Sequence, residues 1–262
     1  MTTATLPTPA HRHTGAALTM TRLVEVELRK MVDTRAGRWL LLGVGALMIA
    51  ALTIVVITTD DPTVRSFANL SKLAILPVSV ILPVVGILAA TSDWSQRTVL
   101  SMFSLVPSRT RIVAAKVLAS IVLATIATAV AFAFAAIASL LAPLAGDVQQ
   151  DWGLGLSTAG EMLMYQWLCM LLGVALGTAL LNSAVAIVVY FVLPMVWSGL
   201  TTSIHSLNTL ERWFDTGTTW VRLISSDPMT AEWWGQIGAT SLLWIAVPIA
   251  IGTARIMRRE ID

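Results

Sequence analysis

Residues 39–59 read WLLLGVGALMIAALTIVVITT, 21 residues without a charge. At about 1.5 Å of rise per residue a helix of that length is roughly 30 Å long, the thickness of a bilayer's hydrocarbon core. The composition extends this reading to the whole chain. Of its 262 residues 56% are hydrophobic and 12% charged, with a mean hydropathy of +0.79. Soluble domains carry about 25% charged residues. A chain this size cannot bury so much apolar surface in a water-soluble core, so a second apolar phase is required.

Working outward, further uncharged runs follow. They are Leu73–Ser92, Val117–Gly146 and Trp233–Ala254, together with the 49-residue run Met162–Leu210. The last is too long for one span, and a turn at Asn182-Ser183 divides it into spans at about Met162–Leu181 and Ala184–Ser203. The expected fold is therefore an all-α integral membrane protein with six transmembrane helices, at about 39–59, 73–92, 117–146, 162–181, 184–203 and 233–254. Pro77 and Pro83 predict a kinked second span. Gly173 and Gly177 form a GxxxG on span four, a spacing that lets helices approach closely.

Upstream, residues 1–20 have two prolines and no apolar core, which predicts a disordered tail; His11 and His13 lie in it. Residues 21–38 predict an amphipathic helix. Val24, Leu28 and Met31 share one face, with Arg22, Glu25, Arg29 and Asp33 on the other. A helix of this kind before a span fits one lying in the membrane interface, with Arg35 and Arg38 as border anchors. The spans and their loops then occupy 39–262. Between spans five and six, Trp213, Trp220, Trp233 and Trp234 predict short helices at the outer leaflet, since such rings prefer the interface.

Charge sets the orientation. With the N-terminus inside, the tail, the loop after span two and the C-terminus hold 13 of the 17 Lys and Arg, while the other loops hold 9 of the 15 acids. The positive-inside rule then places both termini in the cytoplasm of a plasma-membrane protein. It also places there the polar island Asp93–Lys116, DWSQRTVLSMFSLVPSRTRIVAAK. In that island Ser92 can cap a helix with Asp93 in its first turn, Trp94 and Phe103 offer apolar area to a partner, and Pro107 ends the helix. Arg109 and Arg111 fall near the headgroups.

The chemistry in the sequence is sparse. There is no GxxxxGK[ST], HExxH or GxSxG, and no Asp, Glu, Lys or Arg lies deep in a predicted span. Proton- or ion-coupled carriers usually need such a group near the midplane. Tyr165, Tyr190, Asn182 and His205 form no catalytic constellation by spacing. Cys169 is the single cysteine, so no disulfide forms within one chain.

The pattern resembles the permeases of type-2 ABC exporters, the ABC-2 family. The likeness spans residues 22–260. It rests on the six-span layout, on Glu27-x-x-Lys30 before span one, and on the loop after span two, which carries Asp93, Arg97-Thr98, Pro107-Ser108-Arg109 and Lys116. Two positions depart from the family pattern: Asp93 stands where a Glu is usual and Arg97 where a Gly is usual. The resemblance implies an ATPase-coupling helix at Asp93, Trp94, Arg97, Thr98, Phe103, Pro107 and Arg109. It also implies a separate ATP-binding subunit in two copies, which holds ATP and Mg, and a second permease subunit as a homo- or heterodimer. The chain itself would then be no enzyme and would bind no cofactor, metal or nucleic acid. The charge-free spans fit an amphipathic cargo such as a drug, a peptide antibiotic or a lipid-like molecule. Two other readings are a non-transporting scaffold or sensor subunit and a proton-coupled carrier.

Overall fold

The computed structural model describes residues 19–95, 109–144, 146, 151–204, 208–225 and 227–258. The tail expected over 1–20 falls outside these residues up to position 18, as does the stretch 96–108. The described residues form an all-α structure. In order the helices are α1 (Met20–Asp33), α2 (Arg35–Thr58), α3 (Phe67–Ser95), α4 (Arg109–Leu141), α5 (Leu156–Leu180), α6 (Ser183–Ser203), the short α7 (Asn208–Phe214) and α8 (Thr216–Thr219), α9 (Ala231–Ser241) and α10 (Val247–Arg258). Among the described residues six helical stretches are long and apolar enough to cross a membrane: α2, α3, α4, α5, α6 and α9 continued by α10.

The helix ends follow local chemistry more than hydropathy. Thr34 separates α1 from α2, and its hydroxyl accepts from the Gly37 amide at 3.0 Å, capping the new helix. Between α5 and α6 the chain reverses in two residues. Leu181 takes φ 53°, the left-handed region, and the Asn182 side chain caps α6 by accepting from the Val185 amide at 3.2 Å. Hydroxyls inside the apolar helices return to their own backbone, as Ser120 does to the Lys116 carbonyl at 2.7 Å and Thr128 to that of Ala124 at 2.8 Å.

Proline shapes two spans. The helix α3 runs through both Pro77 and Pro83. Pro83 has no N–H for the Ser79 carbonyl four residues earlier. The Tyr190 hydroxyl on α6 donates to that carbonyl instead, at 3.1 Å. In the last candidate span a π-helical turn, Leu242–Ala246, joins α9 to α10, whose second residue is Pro248. A widened turn accommodates the donor that proline lacks.

The core lies around α3 and α5. In α5 72% of the most apolar window is buried, against 11% in α6. Close approach of α3 and α5 depends on glycine. A Cβ on Gly173 would sit 2.2 Å from the Pro83 carbonyl oxygen, and one on Gly177 would sit 2.8 Å from the Ala90 Cβ. The α10 backbone likewise crosses the end of α5 at Gly252, where a Cβ would lie 2.5 Å from the Thr178 carbonyl oxygen. Arg255 then donates to the Ala179 carbonyl at 2.7 Å, supplying a cation to the C-terminal turn of α5.

The opposite end of the bundle is closed by Arg65, between α2 and α3. Its side chain is buried, pairs with Asp60 at 3.1 Å and reaches the Ala142 carbonyl at the end of α4 at 3.4 Å. The Phe67 amide donates to the Asp151 carbonyl at 2.9 Å, and the Phe67 and Trp152 rings lie 5.6 Å apart. Nearby, the hydroxyl of Thr63, and then its amide, donate to the Asp61 carboxylate and hold its pKa below the usual value.

Candidate functional site

The end of the bundle that holds α1 also holds the residues flanking 96–108. The described part of this site is built on α1. Its buried stripe is Leu23, Glu27 and Met31 at i, i+4 and i+8, with Val24 and Leu28 half-buried beside it. The expected apolar face was centred on Val24, Leu28 and Met31. The observed face is turned so that a carboxylate sits in its middle, because Glu27 has partners there.

Glu27 is 2% exposed. One carboxylate oxygen accepts from Lys30 Nζ at 2.9 Å, one turn along α1, and the other accepts from Lys116 Nζ on α4 at 2.8 Å. Lys116, 5% exposed, also donates to the Ala89 carbonyl of α3 at 2.9 Å. Three helices thus meet on one carboxylate and one ammonium. Beside this polar knot, Leu23 packs against Ile112 and Ala115 of α4. Breaking a buried pair of this kind leaves an uncompensated charge and costs about 3–5 kcal/mol. The knot therefore ties α1 to the last turns of α3 and the first turns of α4.

The proposed coupling residues stand as follows. Asp93 and Trp94 lie on the final turn of α3, which continues through Ser95. Ser92 is an interior residue of α3, and its hydroxyl donates to the Ala89 carbonyl at 3.0 Å. Arg109 opens α4. Arg97, Thr98, Phe103 and Pro107 lie outside the described residues, as does His205. The first turns of α4, with Arg109, Arg111 and Lys116, precede the Val117 border expected for span three, so Lys116 is a residue of the bundle interior.

Of the border residues, Arg35 and Arg38 are exposed on the first turn of α2. Trp213 is half-buried, and its carbonyl accepts from the Thr240 hydroxyl at 2.8 Å. Trp233 is half-buried beneath the Arg222 guanidinium, 4.9 Å from the ring centre. Trp234 is exposed, whereas Trp220 is buried inside the protein. Gly173 and Gly177 both face α3.

In the sequence Glu27 and Lys30 stand only within the family resemblance, Lys116 ends the polar island Asp93–Lys116, and nothing brings the three together. The local signal was an acid flanked by Leu23 and Met31 four residues to either side, which places it inside the apolar stripe. Its partner lies 89 residues away and leaves no periodic trace. Among the described residues no three His, Cys, Asp or Glu side chains gather into a metal-sized cluster. Compared with models of known protein families and with curated proteins, the chain matches none.

Proposed function

We propose that this chain is the membrane-spanning permease subunit of an ATP-driven exporter of the ABC-2 kind, moving an amphipathic substrate with a separate ATP-binding subunit. The observation that carries the reading is the buried Lys30–Glu27–Lys116 knot. It ties α1 to the two helices that enter and leave the 96–108 segment. A partner that displaced this segment would act on α3 and α4 as one unit, and through the tight α3–α5 contact on the centre of the bundle. A permease needs such a mechanical path together with two packings of similar energy.

The supporting features are the six apolar helices, the absence of a P-loop in the sequence and the shortage of ionisable groups within the apolar runs. In this reading both termini are cytoplasmic, α1 lies at the inner interface and α7 and α8 lie toward the outer leaflet. Two such subunits, alike or related, enclose the pathway in the plasma membrane, and two copies of the ATPase bind ATP and Mg below them.

The test is affinity purification of the tagged full chain from its native membranes. An ATP-binding subunit co-purifies with the parent chain and is lost from Trp94→Ala/Phe103→Ala, with both proteins equally folded by thermal unfolding. Retention of that subunit by the folded double variant would remove the coupling role from these two side chains. Absence of any ATP-binding subunit would favour the scaffold reading.

A further inference from the structure

The last candidate span is held by different partners on the two sides of its π-helical turn. Its first half, α9, packs against α7 and α8, and its second half, α10, packs against α5. On the first side the bonds run to a cap formed by residues 208–224. The Thr240 hydroxyl donates to the Trp213 carbonyl at 2.8 Å, and the indole of Trp244, in the π turn, donates to the Phe214 carbonyl at 2.7 Å. Arg222 donates to the Gln236 side chain and lies over the Trp233 ring. On the second side Gly252 lies against the Thr178 carbonyl of α5, and Arg255 donates to the Ala179 carbonyl at 2.7 Å. Among the described residues, every hydrogen bond that leaves the cap goes to this last span and none goes to α2–α6. The cap meets the bundle through apolar packing, with the turn Val221–Ile224 against α5 and Leu223 buried. That seam is poorly satisfied. The indole N–H groups of Trp220 and of Trp197, whose ring lies 6.0 Å from that of Trp244, are buried without an acceptor. Buried donors are normally paired, so a packing that strands two of them gives up stability to any alternative that pairs them.

We infer that the π turn and Pro248 form a hinge, about which the cap and α9 swing as one body relative to α5 and α10. Pro248 has no N–H for the Trp244 carbonyl four residues earlier, and prolines and π turns are the places where helices bend. The hydrogen bonds between the cap and α9 stay intact in the swing, and only the apolar seam that strands Trp197 and Trp220 is exchanged. The cap lines one side of an open hollow, through Thr216, Gly217 and Trp220, and Tyr165, Cys169 and Tyr190 line the other, so the swing sets the width of the hollow. The hinge needs no ATP-binding subunit. It is therefore independent of the export reading, and the failure of either leaves the other standing. Within that reading the moving body is the gate at the far end of the bundle from the coupling segment.

Distances between pairs of nitroxide labels, measured by pulsed EPR on the purified full chain in lipid nanodiscs, test the hinge. Cys169→Ala removes the single native cysteine, and labels are attached to introduced ones. Gly160→Cys on α5 is the common anchor, paired in turn with Gly238→Cys on α9, Leu210→Cys on α7 and Ile251→Cys on α10. A side chain at 160 or 238 meets nothing within 4 Å, and Leu210 and Ile251 are exposed, so the labels are tolerated. The pairs from 160 to 238 and from 160 to 210 are each expected to give two separated distance populations, in the same proportion. The pair from 160 to 251 is expected to give one narrow population. Pro248→Ala restores the missing N–H and is expected to merge the two populations of the first pair into one. The inference is overturned by a single narrow population from 160 to 238, or by a distribution from 160 to 251 as broad as that one. It is equally overturned if position 210 behaves like 251 rather than like 238, or if Pro248→Ala keeps both populations in a protein with the parent's unfolding midpoint. If Pro248→Ala fails to fold, the comparison of the three pairs decides.

Discussion

Glu27 is the residue on which the cytoplasmic-side reading turns. A carboxylate 2% exposed on a helix of marginal apolarity is stable only because two ammonium groups converge on it. Its neutralisation by Glu27→Gln is expected to lower stability by about 3–5 kcal/mol, measured as a fall in the thermal unfolding midpoint of the purified protein. The paired change Glu27→Leu/Lys116→Met removes the acid and the more buried base together, and is expected to be less damaging than either single change. A double-mutant cycle that showed simple additivity would mean that the two groups do not interact. The stripe position of Glu27, four residues from Leu23 and from Met31, was legible, but its burial was not, since a helical projection assigns charged side chains to the wet face by default. Only a partner on α4 reverses that assignment, and a partner 89 residues away is a tertiary fact.

At the scale of elements, the α3–α5 contact decides whether the bundle holds. Gly173→Ala would put a Cβ 2.2 Å from a backbone oxygen that cannot rotate away, so the two helices must separate. The expected cost is about 1–3 kcal/mol. Gly160→Ala, on the same helix with nothing within 4 Å of the new Cβ, is the control. It is expected to be neutral or to stabilise by up to about 1 kcal/mol, from helix propensity alone. Thermal unfolding of both variants reads the difference, and equal effects would place the helix contact elsewhere. That Gly173 and Gly177 share a face was legible from spacing, whereas the helix they face was not. Element existence was legible too, because lipid requires long uncharged runs. Element ends were less so. The helices α4 and α5 begin at Arg109 and Leu156, ahead of the apolar borders at Val117 and Met162. Hydropathy reports where lipid contact begins, while the backbone hydrogen-bond ladder extends into the polar flanks and carries Lys116 and Glu161 within it.

For the whole molecule, the contacts gather the starts of α2, α4 and α6 and the ends of α3, α5 and α10 at one pole. Lys30, Gly37, Ser92 and Ser183 line one small cavity there, Lys116 reaches Ala89, and Arg255 reaches Ala179. The Arg65 cluster marks the other pole. The first and last described helices, α1 and α10, thus meet at one pole of six candidate spans, and the sequence contains no GxxxxGK[ST]. The central claim is that an external ATPase supplies the energy. It is tested most directly by ATP hydrolysis in vesicles reconstituted with the purified chain, with and without the subunit that co-purifies with it. The chain alone is expected to hydrolyse no ATP, and the complex to hydrolyse it at a rate that rises when an amphipathic cargo is added. Cargo movement by the chain alone, driven by a pH gradient without ATP, would contradict the account.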